Sequence, residues 1–580
     1  MNLVAFFLFS GLGDITAVRV HGATVFSEGQ IVEVTNIREG KPFRIAMVRG
    51  GEVRIRTLYE SRGYFRVSVK DSIVQTDKGI EIHLLIDEGP RAKLVDIVPE
   101  GARQIDSLSL LRILMKSVPA DLPVYYDDEI IANVEKSLYS LYQNTGFPFV
   151  EITSTIEEIS PNLISARVTI DEGPRVRIRD IVIRGNQRVR EEIIAREIDI
   201  KPGDHYNFEK ITEAQRRIYS TGLFSSVQYN LDTVGPQDTL AILYFTVTET
   251  SPRYLDVGGG FHTPLELQAK LSIGHLNLWG KGQRAEIGGE SSWNFQGFPR
   301  RKLNFSYSEP YFLGFRLDAT ARVAYSYDVD LDYEELSATF LTRKYLGKYW
   351  SVSPGARWSY SREITADTVI SSIPSKITVN ALTQELLLDS RDNIFDPFRG
   401  LYGRLYLEEA GWTLGGYEDH LKEFFSLSSY FKLSKGGYTL ASRLSLGYIL
   451  PYGRTAEIHP SERFTLGGDG TVRGYTRYSI GQFDPRRGEG ELVVRSGSKL
   501  YNLNLELRKH ISTTWGFAIF TDLGGLWKNY RPVELSESAW SAGFGIRYYL
   551  PIGPIRLDWA RPVLNYSGWG IIHIGLGHMF

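Results

Sequence analysis

The chain has 580 residues, with 66 Lys and Arg against 68 Asp and Glu, so a formal charge of -2 gives it no general attraction for nucleic acid or anionic lipid. It contains no cysteine, which excludes disulfide frameworks, Cys-based zinc sites and thiol nucleophiles. Aromatic residues make up 12% of the chain and accompany 56 glycines. This composition favours strands and turns over a helical enzyme.

The chain starts with a short apolar run at residues 2–13, of signal-peptide length. The first positive charge, Arg19, follows this run and does not precede it. We interpret residues 1–17 as an export signal; a buried first element of the fold is the alternative. Nowhere do eighteen apolar residues follow one another, so any crossing of a membrane requires a closed barrel of strands.

The first 250 residues are repetitive. One short glycine–aromatic motif occurs three times, at intervals of 83 and 76 residues: Gly63-Tyr64-Phe65, Gly146-Phe147-Pro148-Phe149 and Gly222-Leu223-Phe224. A second motif, Asp-Glu-Gly-Pro, occurs at 87–90 and 171–174. The related sequence Glu-Thr-Ser-Pro at 249–252 follows at a similar interval. A period near 80 residues is too long for a solenoid and predicts three small tandem domains.

The third repeat shows the order of elements best. A strand at 178–183 precedes one helix with Val189, Ile193, Ile194 and Ile198, and a second helix with Phe208, Ile211, Ile218 and Tyr219 on one face. Asn207 is the predicted N-cap of the second helix, and two strands complete the unit. In the first repeat, Gly50-Gly51 is expected to interrupt the corresponding helix. Each repeat is therefore predicted as strand, helix, helix, strand, strand, with an edge strand that can bind an extended peptide.

After Pro252 the sequence alternates with a period of two over long stretches, as at 317–329 and 438–450. Strands of this length span a bilayer when tilted, whereas strands of a soluble sandwich, the alternative, are usually about 5–6 residues long. The remaining chain, residues 253–580, has room for about sixteen antiparallel strands at roughly 20 residues each. We predict an α+β N-terminal region followed by an all-β transmembrane barrel.

One connection, residues 451–500, is far too long for a simple loop. It contains Val472, Arg473, Gly474 and Tyr475. The next strands carry Glu506 on one polar face and Phe520, Asp522 and Gly524 on another. An arginine on a loop folded into the barrel would find these carboxylates as lumen partners.

Together, these features resemble those of the BamA/TamA superfamily of outer-membrane assembly factors, also called bacterial surface antigen proteins. Residues 472–475 resemble the family's VRGF/Y motif of loop 6, and residues 520–524 resemble its F-x-D-x-G strand motif. Residues 389–392 with 397–400 look like the D-x-R-D…P-x-x-G word, and residues 553–558 are similar to the penultimate-strand pattern. The likeness runs from about residue 18 to the end.

The resemblance implies three POTRA domains at 18–90, 91–174 and 175–252, with a sixteen-stranded barrel at 253–580 and the inserted loop at 451–500. It implies an insertase in the bacterial outer membrane, with the POTRA domains in the periplasm and unfolded outer-membrane proteins as clients. Three repeats, in place of five, favour a TamA-like member. The implied partners are outer-membrane lipid and these clients, with a lipoprotein or periplasm-spanning partner left open.

Glycines mark a weak point in the predicted barrel. Gly258, Gly259 and Gly260 lie in its first strand, and Gly575 and Gly577 lie on one face of its last strand, which ends at Phe580. Because glycine weakens strand pairing, we predict a lateral seam between these two strands that opens and templates client strands. The opposite face, with Ile572, Ile574, Leu576, His578 and Phe580, is expected to face lipid.

No sequence motif of an enzyme accompanies this pattern: G-x-S-x-G, P-loop lysine and H-E-x-x-H words do not occur. We therefore expect a protein that is not an enzyme, has no cofactor or metal and does not bind nucleic acid. Two alternatives remain, a two-partner secretion transporter and a passive porin.

Overall fold

The computed structural model describes residues 13–118, 122–233, 235, 238–262, 266–294, 297–364, 374–433, 437–481, 496–529, 532–551, 553–563 and 569–580. Residues 1–12, which hold most of the predicted export signal, lie outside this part. The chain divides into two compact units, one formed by residues 1–186 with 194–248 and one by residues 187–193 with 249–580. Within the described residues, no helix is both long and apolar enough to cross a membrane.

The three N-terminal repeats share the predicted order of elements. The first contains β1 (Ile15–His21), α1 (Glu28–Thr35), α2 (Ile45–Glu60), β2 (Ser68–Thr76) and β3 (Gly79–Asp87). The second contains β4 (Lys93–Glu100), α3 (Ser107–Ser117), β5 (Val124–Tyr125), α4 (Asp128–Thr145), β6 (Glu151–Ser160) and β7 (Leu163–Asp171). The third contains β8 (Arg177–Arg184), α5 (Glu191–Ala195), α6 (Phe208–Ser220), β9 (Phe224–Asp232) and β10 (Leu240–Glu249).

In each repeat the last strand forms the centre of the sheet and pairs in parallel with the first strand, giving the orders β1-β3-β2, β4-β7-β6 and β8-β10-β9. The short β5 adds to the edge of β4 through Lys93 and Leu94. Because β1 begins at Ile15, a boundary between residues 17 and 18 would cut a strand of the first sheet. Residues 15–17 therefore belong to the first strand of this domain.

Gly50 and Gly51 do not interrupt a helix, contrary to the sequence prediction, since α2 runs without a break from Ile45 to Glu60. Gly51 is buried, and a Cβ atom there would lie 3.3 Å from the Thr35 side chain and 3.4 Å from that of Ile37. The glycine lets α2 approach the end of α1 closely, which offsets its low helix propensity.

The helices of the third repeat differ in part from the prediction. The first, α5, covers only Glu191–Ala195, so Ile198 lies beyond its end. Asn207 caps α6 as predicted, with its side chain accepting a hydrogen bond from the Lys210 amide. However, Phe208 and Tyr219 are exposed, because Ile211, Ala214 and Ile218 form the buried face of α6.

The glutamates of the repeated Glu-Gly-Pro and Glu-Thr-Ser-Pro words have the same structural role in all three repeats. Each carboxylate accepts hydrogen bonds from backbone amides of the segment that follows the first strand: Glu88 from Thr24 and Val25, Glu172 from Arg103 and Gln104, and Glu249 from Gln187, Arg188 and Val189. These motifs therefore stabilise the turn that follows the first strand of each domain. This structural role accounts for their regular spacing, and no binding site is needed to explain it.

Burial opposes ionisation of Glu88, but hydrogen bonds from Thr24, Val25 and Tyr59 outweigh it and lower the pKa of this carboxyl group. The Tyr59 hydroxyl donates at 2.8 Å, and Tyr142 makes the matching contact with Glu172 at 3.0 Å in the second repeat. The two domains thus repeat both the backbone fold and its buried polar contact.

From Arg253 onward, sixteen antiparallel strands form one sheet within the described residues, as predicted. They are β11 (Arg253–His262), β12 (Glu266–Leu278), β13 (Gln283–Asn294), β14 (Gly297–Glu309), β15 (Asp318–Asp328), β16 (Tyr333–Leu346), β17 (Trp350–Glu363), β18 (Lys376–Asp389), β19 (Gly400–Ala410), β20 (His420–Lys432), β21 (Tyr438–Pro451), β24 (Lys499–His510), β25 (Trp515–Trp527), β26 (Ala539–Leu550), β27 (Gly553–Pro562) and β28 (Ile571–Leu576). The short pair β22 (Phe464–Thr465) and β23 (Ser496–Gly497) lies in the long connection between β21 and β24.

Strand alternation sorts the side chains of the barrel as predicted. In β21, Leu444 and Leu446 are exposed on the outside, whereas Thr439 and Ser445 are buried on the inside. An apolar exterior with a polar interior is the pattern of an outer-membrane barrel. The barrel is nearly closed: β11 and β28 lie beside each other, but in the described part of the chain no ladder of backbone hydrogen bonds joins them.

Candidate functional site

The long connection between β21 and β24 folds against the inner side of the barrel wall. Val472 is fully buried in an apolar cluster with Leu466, Ile480 and Leu526, and Tyr475 packs against the same cluster. A Cβ atom on Gly524 would lie 2.9 Å from Leu466 and 3.0 Å from Val472. Glycine at this position of β25 therefore allows the loop to contact the wall. Residues 482–495 of the connection lie outside the described residues.

Arg473 is the centre of a buried ion-pair network. Its guanidinium contacts Asp522 through Nε at 2.8 Å and Nη2 at 3.1 Å, and Glu506 through Nη1 at 3.0 Å. The same Nη1 contacts Asp558 at 3.1 Å, and the Phe520 ring centroid lies 3.3 Å from the guanidinium carbon. The structure thus brings together the arginine and both carboxylates predicted from sequence.

Asp558 was missed as a lumen partner, although it lies in the quoted word at 553–558. Strand alternation carries the signal, since Arg556 and Asp558 share the buried face of β27. Arg547 contacts both Asp558 and Glu506, and Arg508 contacts Glu506 at 3.1 Å. Glu506 and Asp558 are therefore each shared by at least two guanidinium groups, and Asp522 accepts a further hydrogen bond from the Asn504 side chain at 2.8 Å. Such pairing and hydrogen bonding stabilise buried charges. We call this network the first anchor of the loop.

The loop also touches the last strand of the barrel. Gly474 has a φ of +86°, and its backbone amide donates to Nε2 of His573 at 3.0 Å. His573 is buried and belongs to β28. The loop that carries Arg473 is thus bonded directly to one side of the predicted seam.

A second anchor of the same loop involves residues that sequence reasoning missed. Glu462 contacts Arg357 of β17 through two parallel contacts at 3.0 and 2.9 Å, and its backbone carbonyl accepts from Lys422 of β20 at 2.8 Å. Arg357 also contacts Glu408 of β19 through two contacts at 3.0 and 2.7 Å. Here the loop supplies the carboxylate and the wall supplies the cations, the reverse of the arrangement at Arg473.

Alternation in β17 could have marked Arg357 as lumen-facing, because it shares the face of the buried Ser353, Ser359 and Ser361. Glu462 carries no such signal, since it lies in a short turn at Pro460–Glu462 and not in a strand. The pairing of the two depends on the path of the loop.

Among the described residues, Glu408, Glu462 and His420 lie close enough together to share a metal ion. However, Arg357 already contacts both oxygens of each carboxylate, and His420 contacts Glu408 at 3.2 Å. A cation would have to displace this guanidinium. The group therefore fits an ion-pair network better than a metal centre.

The end of the chain departs from the prediction. β28 ends at Leu576, and Gly577, with a φ of +83°, turns the chain away from the strand. The carbonyl of Phe580 accepts from Arg508 at 3.2 Å, and its ring lies 5.1 Å from the Arg443 guanidinium. His578 contacts Asp396 at 2.9 Å, with only 3% of its side chain exposed. His578 and Phe580 therefore do not continue the lipid-facing row of Ile572, because they find polar and cationic partners inside.

The glycines of the predicted seam lie on both of its sides. Gly258, Gly259 and Gly260 belong to β11, and they pair in register with Lys270, Ala269 and Gln268 of β12. Gly575 lies opposite Arg556 of β27, and a Cβ atom there would lie 2.7 Å from the Arg556 guanidinium. In the part of the chain that the structure describes, each of the two strands thus pairs with one neighbour.

Comparisons with known proteins agree with this geometry. The model described as "Omp85 superfamily domain" matches residues 277–580, and the POTRA model, "Surface antigen variable number repeat", matches residues 14–89 and 176–250. The outer membrane protein assembly factor BamA of Nitratidesulfovibrio vulgaris is 24% identical over 95% of this chain and 70% of its own length. BamA of Neisseria meningitidis serogroup B is 23% identical over 95% of this chain and 76% of its own length.

Among solved structures, BamA from Haemophilus ducreyi lacking POTRA domains 1–3 is similar with a TM-score of 0.66 at 18% identity, over 84% of this chain and 99% of that one. At this identity the likeness concerns the fold alone. The strands, the repeats and the family match place the barrel in a bacterial outer membrane with the POTRA domains in the periplasm, and the chain belongs to the Omp85 superfamily.

Proposed function

We propose that this protein is an outer-membrane protein assembly factor that receives unfolded β-barrel clients on the edge strands of its POTRA sheets and inserts them through the seam between β11 and β28. The observation that carries the proposal is the seam itself: these two neighbouring strands share no ladder in the described residues. A client strand can pair with the facing edges of these two strands, which gives affinity through main-chain hydrogen bonds. No covalent chemistry is needed for this exchange.

The loop supports the proposal because it couples the lumen to one seam strand. The hydrogen bond from Gly474 to His573 joins β28 to the loop, and the loop is held by the Arg473 network. A client strand that pairs with β28 must compete with the few contacts that hold β28 in place, and one of these comes from the loop. The position of the loop therefore sets how readily the seam opens. Arg473 is a positioning residue in this scheme.

The N-terminal sheets supply the docking edges. β2, β6 and β9 are outer strands in their sheets, and β1 and β8 form the other outer edges. A passive porin has no need for three such sheets. The known relatives described above are named BamA; a TamA-like role, the client set and an accessory lipoprotein stay predictions.

A disulfide across the seam tests the proposal, and the chain has no cysteine of its own to interfere. Val257 on β11 and Leu576 on β28 are exposed, so Val257→Cys is combined with Leu576→Cys or Ile572→Cys, and the pair that oxidises is kept. Oxidised protein in liposomes should lose insertion of an unfolded barrel protein, and a reductant should restore it.

The matched control is Leu427→Cys with Leu444→Cys, which are register partners on β20 and β21, away from the seam. Its disulfide should leave insertion unchanged. Full insertion with the seam bond closed would overturn the proposed route through β11 and β28.

A further inference from the structure

Helix α3 of the second POTRA domain has two apolar faces, and only one is buried in the domain. Leu110 and Leu114 are 6% and 7% exposed and pack into the core. Leu108, Leu111 and Met115 lie on the opposite side and are 74%, 53% and 76% exposed. Three large apolar side chains in one row on a folded domain indicate a surface that something covers.

Two cations complete this exposed face. Arg112 and Lys116 are exposed and follow Leu111 and Met115 directly, so all five side chains lie at the spacing i, i+3, i+4, i+7, i+8 of a single helix face. We call Leu108, Leu111, Arg112, Met115 and Lys116 the α3 face. The helix itself, Ser107–Ser117, contains no Asp or Glu.

The positive charge is local. Residues 91–174 contain thirteen Asp and Glu but seven Lys and Arg, so the domain as a whole is acidic. The nearest acidic residue in sequence, Asp106, is the N-cap of α3, and its carboxylate accepts a hydrogen bond from the Ser109 amide at 2.9 Å. Because screening limits charge effects to about 8–10 Å, the two cations on the α3 face itself act most directly on a partner that contacts this face.

The size of the α3 face decides between partners. Five side chains on one three-turn helix are too few for a stable protein interface, which needs about 800 Å² from each partner. A lipid surface has no such threshold here, because the barrel already holds the chain in the membrane and raises the effective concentration of lipid near the domain. Leucine and methionine beside Arg and Lys, whose stems reach to headgroups, also match interfacial helices.

We propose that the α3 face binds the anionic phospholipid surface of the membrane, with Leu108, Leu111 and Met115 in the headgroup boundary and Arg112 and Lys116 on phosphate groups. This contact restrains the second POTRA domain next to the bilayer. It goes beyond the proposed insertion route and does not depend on the seam.

The test uses the full chain with a single environment-sensitive fluorophore on Leu111→Cys, since the chain has no other thiol. The protein is reconstituted in phosphatidylcholine vesicles with or without phosphatidylglycerol. With phosphatidylglycerol, the emission should shift to the blue, acyl-chain doxyl lipids should quench it, and aqueous iodide should not. Arg112→Glu with Lys116→Glu, or high salt, should abolish these changes, because the attraction between the basic side chains and the anionic surface is then lost or screened.

Controls lie on α4 of the same domain. A label on Ala132→Cys, an exposed position, should stay accessible to iodide in all vesicles, and Lys136→Glu should not change the Leu111 signal. A Leu111 label that is equally open to iodide with and without phosphatidylglycerol would overturn the proposal. Protection in anionic vesicles that disappears when the protein is reconstituted at one chain per vesicle would overturn it too, since it would assign the face to a second copy.

Discussion

Arg473 and Asp522 meet through two parallel contacts, Nε to Oδ2 at 2.8 Å and Nη2 to Oδ1 at 3.1 Å, and the Arg473 backbone amide donates to the same carboxylate at 3.1 Å. Both side chains are fully buried. One carboxylate therefore fixes the loop by side chain and backbone together. The planar fork of arginine, and not charge alone, holds the loop in place.

Arg473→Lys should displace the loop although it keeps the charge, because a single ammonium cannot reproduce the contacts with Asp522 and Glu506. Breaking a buried pair costs about 3–5 kcal/mol, so we expect a large loss of client insertion and faster proteolysis within the loop. Asp522→Asn should have a similar effect. Arg477→Lys on the same loop is the control and should change neither. Normal insertion by Arg473→Lys would contradict the positioning role of the guanidinium.

Removing the second anchor should also release the loop, but unequally for its two partners. Arg357→Gln leaves Glu408 and Glu462 buried, without the guanidinium that they share, whereas Glu462→Gln leaves Arg357 paired with Glu408. We therefore expect Arg357→Gln to destabilise the loop more, as read from its rate of proteolysis in the folded barrel. The control is Ala456→Gln, an exposed position of the same loop. Equal rates for all three variants would show that the loop is held at Arg473 alone.

Two neighbouring glycines in α2 should respond in opposite directions. A Cβ atom on Gly50 would meet only the flexible end of Arg54, so Gly50→Ala should stabilise the first domain by about 0.5–1 kcal/mol. Gly51→Leu would push against Thr35 and Ile37 and should destabilise it by about 1–3 kcal/mol. Urea unfolding, followed by a fluorophore on the exposed Val53→Cys, measures both. A stabilising Gly51→Leu would mean that α1 and α2 are not packed closely there.

The first domain should lose stability in acid because of Glu88. Its pKa is lowered in the folded state by hydrogen bonds from Thr24, Val25 and Tyr59, which outweigh burial. The stabilisation is complete above the ordinary glutamate pKa of about 4.3 and is lost as the pH falls from there through the folded pKa. Glu88→Gln should flatten this part of the pH dependence in the urea assay, while Asp77→Asn on an exposed turn should not. An unchanged profile for Glu88→Gln would refute the assignment.

The sequence by itself determined the repeats, the period of two along the barrel strands and the ion pairs of Arg473 with Glu506 and Asp522. These features are local: alternation decides which face of a strand a side chain occupies, so carboxylates in β24 and β25 could be assigned to the lumen before the fold was known. The N-cap at Asn207 also followed from the sequence, but the lengths and breaks of helices did not, because packing overrides propensity. Gly51 lies inside a helix for this reason.

Only the tertiary structure decided which distant residues meet. The pairing of Glu462 with Arg357 joins residues 105 positions apart and depends on the path of an irregular loop, which no periodicity describes. The inward turn after Leu576 likewise depends on the tertiary structure, because Phe580 contacts Arg443 and Arg508 inside the barrel. Gly577 permits the turn, since glycine readily adopts a positive φ. The periodicity of a strand can be read from residues that are close in sequence. The partner of a buried charge can lie anywhere in the chain, so only the folded structure identifies it.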